Sequence, residues 1–137
     1  MDFALPRLLL VAAVALTCKT AAAEYTTPVA YLLHCGGCHL PDARGNPPQV
    51  PDLRETLGRI VALPGGRDYL VRVPGASQAP VSDQKLADIV NWVLENFNAN
   101  TLPADFEPLT REEVSRSRKN VLADPLKHRA KLWEAYD

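Results

Sequence analysis

The clearest chemistry in the chain lies in five consecutive residues, Cys35, Gly36, Gly37, Cys38 and His39. In the spacing C-x-x-C-H, two thiols add to the vinyl groups of a porphyrin and the adjacent imidazole ligates the iron. Two intervening residues let both sulfurs reach neighbouring vinyl groups from one helical turn, and glycines put no side chain between the backbone and the macrocycle. We therefore expect one covalently attached haem c, with His39 as the proximal iron ligand.

Two other kinds of site use similar residues. A thioredoxin-like redox pair has its C-x-x-C after a strand, and no strand-like run precedes Cys35. A zinc site needs about four ligands in separated pairs, whereas Cys18 is the only further cysteine. Both alternatives fit the spacing less well than haem attachment does.

The N-terminal residues indicate export. Arg7 precedes an apolar run over 8–16, and small residues at 21–23 place a signal-peptide cleavage site after Ala23. A lipoprotein signal, with Cys18 at the new terminus, is the alternative. The apolar run is too short to span a bilayer, so we expect residues 1–23 to be a signal peptide, the mature chain to have no membrane span, and its location to be the periplasm.

The remaining residues are enough for one small domain. We expect a domain over 24–100 and a C-terminal extension over 101–137. Residues 111–137 carry seven basic and five acidic side chains, whereas the preceding part of the mature chain is acidic. Net charge alone does not identify a binding partner. We expect no nucleic-acid partner.

Helical patterns dominate the sequence, and strand-like alternation is scarce. Apolar side chains at helical spacing follow Ser82, which is a good N-cap, up to Phe97. Thr110 and Glu113 have capping-box spacing, and Asp124 followed by Pro125 is typical of a helix start. We predict an all-α fold with helices from Pro28 into the cysteine motif, over 52–62, over 66–73, from Ser82 to Phe97, from Arg111 and from Pro125, and with loops over 40–51 and 74–80.

These features resemble the small monohaem class I c-type cytochromes over residues 25–98. Tyr31 stands where the family has an aromatic residue in its first helix, Pro51-Asp52-Leu53 is similar to its P-x-L segment, and 86–94 is similar to its closing helix. The resemblance implies three or four helices around one haem, here with a C-terminal helical extension added. It also implies that the Pro51 carbonyl accepts the proton of the proximal imidazole. Trp92, in the closing helix, is expected either to contact the haem edge or to pack on the first helix.

The sequence departs from this family at the second axial ligand. Family members supply a methionine from an M-P pair, where this chain has Val73-Pro74, and its only methionine is Met1. The sixth ligand is therefore open. Candidates are His128 and Gln78, with Ser77, Lys85 and His34 as further options, or a position that is vacant, water-bound or filled by a partner.

The family resemblance implies an electron carrier rather than an enzyme. Single electrons would pass from a partner dehydrogenase or oxidoreductase to a downstream acceptor, with the protein acting alone or as a subunit of a complex. The basic extension is then a candidate docking element for the redox partner. The alternative function is a haem protein whose open distal side binds a small gas or ligand, as a carrier or sensor.

Overall fold

The computed structural model describes residues 25–134, so the predicted signal peptide lies outside the described residues. The described part of the chain is helical, with a single isolated bridge between Asn46 and Val50 as its only β-type pairing. This confirms the all-α prediction. In chain order the helices are α1 (Thr27–His34), α2 (Gly36–His39), α3 (Leu57–Ala62), α4 (Gly66–Arg72), α5 (Pro74–Ser77), α6 (Asp83–Phe97), α7 (Arg111–Ser117) and α8 (Pro125–Glu134).

The longest helix, α6, is the centre of the fold. Ser82 caps it as predicted, because its hydroxyl accepts a hydrogen bond from the Lys85 amide at 3.1 Å. In the stripe predicted from the periodicity, four side chains are buried and two, Val90 and Phe97, are half-buried. The helix packs against α1, α4 and α7. The fully buried Tyr31 of α1 lies 5.2 Å from Trp92 and 6.3 Å from Phe97, measured between ring centroids, so aromatic contacts join α1 to α6.

The helix predicted over 52–62 is shorter than expected. It begins at Leu57, because the preceding residues form turns in which Asp52 accepts hydrogen bonds from the Arg54 backbone and side chain. Asn98, at the end of α6, caps it from a distance. Its Oδ1 accepts hydrogen bonds from the Leu57 and Gly58 amides at 3.0 and 3.2 Å. The N-terminus of α3 is thus satisfied by a side chain 40 residues away in the sequence.

The predicted loop over 74–80 is also partly wrong, since Pro74–Ser77 forms the short helix α5. Val73 is extended, with φ −59° and ψ 140°, so α4 ends there and Pro74 occupies the first position of a new helical turn. The chain from Val73 to Ser82, called the 73–82 segment below, is therefore one helical turn followed by a loop.

The C-terminal extension packs on the rest of the fold. The capping box of Thr110 and Glu113 forms, and the Asp124 carboxylate accepts a hydrogen bond from the Lys127 amide at 2.9 Å, as predicted. Asn91 on α6 exchanges two hydrogen bonds with the Leu109 backbone, at 2.9 and 2.7 Å. The extension also contributes four buried apolar side chains to the core, Leu109, Val114, Leu122 and Leu132. Within residues 25–134, no helix is long and apolar enough to cross a membrane.

Candidate functional site

An apolar cleft of about 310 Å³ opens beside α2. Four of the five residues predicted to hold the cofactor line it, namely Cys35, Cys38, His39 and Pro51. The remaining lining is mostly apolar and comes from α1, from residues 49–53, from α3, α4, α5, α6 and α8, and from Val73 between α4 and α5. A pocket with apolar walls and a few convergent polar groups is the usual form of a cofactor site.

His39 is the last residue of α2, and its imidazole is held from one side. Nδ1 lies 3.1 Å from the Pro51 carbonyl oxygen, the contact that the resemblance implied. With Nδ1 donating its proton to that carbonyl, Nε2 is the nitrogen left for a metal. Burial lowers the pKa of His39, partly offset by the hydrogen bond to Pro51, and the positive charge of Arg129 lowers it further. The site therefore favours a neutral imidazole, which is the protonation state that binds metals.

The two thiols flank the entrance of the cleft. Cys35 is partly buried and ends α1, while Cys38 is exposed, and neither forms a disulfide. The His39 amide donates to the Cys35 carbonyl at 2.9 Å, so one helical turn carries both sulfurs and the imidazole. Burial and, to a smaller extent, the nearby Cys38 raise the pKa of the Cys35 thiol to about 11. Nothing lies within 4 Å of the position that a Gly37 side chain would occupy.

Tyr31 fixes the chain just beyond the histidine. Its hydroxyl donates to the Leu40 carbonyl at 2.8 Å, and burial raises the pKa of this phenol to about 12. Leu40 has a left-handed backbone with φ 60°, and the Gly45 amide donates to the His39 carbonyl at 3.1 Å. These contacts make the exit from α2 a sharp turn and leave the imidazole facing the cleft.

The residues of the cleft fit a haem c. The two thiols, the orientable imidazole nitrogen and the apolar walls are what covalent attachment, iron ligation and enclosure of a macrocycle require.

Two known proteins are similar to the chain in sequence. Cytochrome c-552 from Thermus thermophilus is 29% identical over 106 residues, covering 64% of this chain and 81% of the relative. A second cytochrome c-552, from a particular strain of the same species, is 28% identical over 106 residues, covering 64% of this chain and 72% of the relative. No family model matches the chain. The helical fold and these similarities agree. The chain is similar to c-type cytochromes, and its cofactor is haem c.

Three of the predicted site residues do not line the cleft. Trp92 packs on Tyr31 and Phe97, which is the second of the two roles considered for it. His128 stacks on Tyr69, with ring centroids 5.8 Å apart and parallel planes, and Gln78 is exposed.

The structure also shows the contacts of the weaker candidates for the sixth iron ligand. The Ser77 hydroxyl donates to the Pro74 carbonyl at 3.3 Å, and the Lys85 ammonium donates to the Tyr25 carbonyl at 3.2 Å. His34 does line the cleft, directly before Cys35 in the chain and therefore beside the thiols.

Sequence reasoning placed only His128 of the C-terminal extension near the haem and missed the residues of the extension that line the cleft. Pro125, Leu126 and Arg129 of α8 line it, and the Arg129 guanidinium donates to the Thr56 hydroxyl at 3.0 Å. The start of α8 was predictable from Asp124 and Pro125, but no sequence signal indicates that the helix folds back over the cleft.

A second missed residue is Arg118, which follows α7. Its guanidinium donates to the backbone carbonyls of Ser77, Ala79 and Val81 at 2.8 to 3.1 Å, and to the Asp83 carboxylate at 3.1 Å. Its side chain is 14% exposed. Arg118 therefore holds the 73–82 segment, which includes part of the cleft wall, in one conformation.

Proposed function

We propose that this protein is an exported single-electron carrier in which Cys35 and Cys38 bond to the haem vinyl groups and His39 ligates the iron. The observation that supports this most directly is the 3.1 Å contact between His39 Nδ1 and the Pro51 carbonyl, beside two thiols that line the same cleft. Bound haem c would supply reversible one-electron chemistry, which needs no catalytic side chain.

The protein residues around the site would control orientation and solvent access. The Pro51 carbonyl fixes the His39 ring and its tautomer, so Nε2 presents its lone pair to the cleft. Aliphatic side chains from α4, α5 and α6 exclude water from the remaining walls. Such burial and hydrogen bonding are the means by which a protein tunes a haem potential.

Electron transfer requires a redox partner, and two surfaces could receive one. Cys38, which lines the cleft, is exposed, and so is Leu40, which follows His39 in the chain. Basic side chains are exposed on the C-terminal extension, at Arg111, Arg116, Lys119, Lys127 and Lys131. We propose that the partner is a dehydrogenase or oxidoreductase that contacts the cleft mouth and presents acidic side chains to the extension. The signal peptide predicted for 1–23 would deliver the chain to the periplasm, where donor and acceptor meet it.

The test uses protein matured in cells that attach haem c. We expect the wild-type haem to remain with the polypeptide in acidified acetone, and the purified protein to be reduced and reoxidised reversibly by one electron. The double variant Cys35→Ala/Cys38→Ala should release its haem, whereas Cys18→Ser, in the predicted signal peptide, should retain it. Haem that stays attached in the double variant would contradict the assignment of the thiols.

A further inference from the structure

The wall of the cleft opposite His39 has an unusual set of side chains. The α2 helix packs on α1, whereas α4 packs on α3, α5, α6, α7 and α8, so the cleft separates the histidine from α4. Among the described residues, the lining from α4, Val73, α5 and α8 is apolar except for the Tyr69 hydroxyl and the Arg129 guanidinium. None of the residues in this lining carries a sulfur or an imidazole, and a guanidinium has no lone pair to give a metal.

Tyr69 carries an uncommitted hydroxyl on this wall. The residue is 4% exposed, and no described residue forms a hydrogen bond with its phenol oxygen. Every fully enclosed side-chain oxygen and nitrogen in the described part of the chain does have a partner. The Tyr69 hydroxyl must therefore be accessible, and the cleft is the space that its side chain lines. A buried phenol usually finds a hydrogen-bond partner, so this one is available to a ligand.

Tyr69 is held through its ring and through its backbone. The His128 imidazole of α8 stacks parallel to it at 5.8 Å between centroids, and the Tyr69 amide donates to the Gly65 carbonyl at 2.9 Å. Arg118 fixes the adjacent 73–82 segment through three backbone carbonyls. The phenol is therefore presented from a rigid wall, which lowers the entropic cost of binding a ligand there.

We propose that the side of the iron opposite His39 is open to a small exogenous ligand, and that the Tyr69 hydroxyl donates a hydrogen bond to it. The proposal rests on the haem site described under Proposed function. The aliphatic neighbours of Tyr69 limit the ligand to a small one, and the single donor favours a ligand whose outer atom accepts a hydrogen bond. Binding forms one bond from the ligand lone pair to iron, with no redox change.

The experiment uses the full-length holoprotein with two probes. Carbon monoxide added to the reduced protein tests whether the position is open, because it accepts hydrogen bonds weakly. Cyanide added to the oxidised protein tests the donor, because its outer nitrogen carries negative charge. We expect both to bind. We expect Tyr69→Phe to weaken cyanide binding by roughly tenfold or more, the usual effect of losing one hydrogen bond to a charged group. Its affinity for carbon monoxide should change less than about threefold, since that complex lacks the charged acceptor.

Tyr25→Phe is the control, because it removes an exposed phenol outside the cleft and should leave both affinities unchanged. Three results would overturn the proposal. These are low-spin spectra in both oxidation states without carbon monoxide binding, an unchanged cyanide affinity in Tyr69→Phe, or a tyrosinate-to-iron absorption band that Tyr69→Phe removes. Each of these is measured on protein that retains covalent haem, so it is distinguishable from failure of the attachment itself.

Discussion

Replacing Arg118 with methionine should destabilise the protein more than any other single surface-charge change near the cleft. The guanidinium makes five hydrogen bonds, four of them to the backbone carbonyls of Ser77, Ala79 and Val81, and its side chain is only 14% exposed. Methionine keeps most of the aliphatic contact but removes the guanidinium donor from all three carbonyls, of which only Ala79 keeps another donor, the Val81 amide.

The magnitude follows from those carbonyls. A hydrogen bond to a charged group contributes about 1.5 to 3 kcal/mol, but bonds from one guanidinium are not additive and water can reach part of the segment. We therefore expect Arg118→Met to lower the free energy of unfolding by about 3 kcal/mol. For a domain of this size, that corresponds to a fall in Tm of roughly 10 °C.

The assay is urea unfolding of the holoprotein, followed by far-ultraviolet circular dichroism and by haem absorbance. Arg116→Met is the matched control, because Arg116 lies on α7 just before Arg118 and is exposed, and its change should stay within about 0.5 kcal/mol. Arg118→Lys should recover part of the loss, since an ammonium can reach fewer of the carbonyls. If Arg118→Met unfolds within about 0.5 kcal/mol of the wild type, the 73–82 segment does not depend on this guanidinium.

Two further predictions concern residues that join distant parts of the chain. Asn98→Ala should lower the free energy of unfolding by about 2 to 3 kcal/mol, because it removes the hydrogen-bond partner of two buried amides and of the Leu53 carbonyl. Asn96→Ala, nearby on α6 and exposed, is its control in the same urea assay, and equal effects would contradict the capping role. Hydrogen bonds from Arg67 hold the pKa of Glu113 below its ordinary value of 4.5. The stability from this ionised carboxylate is present above pH 4.5 and is lost as the pH falls through the lower folded-state pKa. Glu113→Gln should therefore flatten the acid side of the stability profile, measured by urea unfolding from pH 7 to 3, whereas Glu112→Gln should leave its shape unchanged.

The local features of this protein could be predicted from its sequence, because they depend on neighbouring residues. The caps at Ser82, Thr110 and Asp124 each use a side chain and an amide three residues apart, and all three form as the pattern predicted. The stripe along α6 packs on the core for the same reason, since its spacing alone places it on one face. The assignment of the thiols and of His39 also depends on a spacing within five residues, and it stays a prediction until the haem attachment is tested.

Only the tertiary structure decided what lies across the cleft from His39. Asn98 caps α3, and Arg118 binds the backbone of the 73–82 segment. Each of these contacts joins residues about 40 apart in the sequence, and no local pattern encodes such a pairing. His128 was considered as an iron ligand from its type alone, and its placement against Tyr69 depends on how α8 folds back. The sequence by itself indicated haem attachment and one axial ligand, because both predictions depend only on the C-x-x-C-H spacing of residues 35–39. The character of the other side of the iron depends on packing between α4, the 73–82 segment and α8, so it could be described only from the fold.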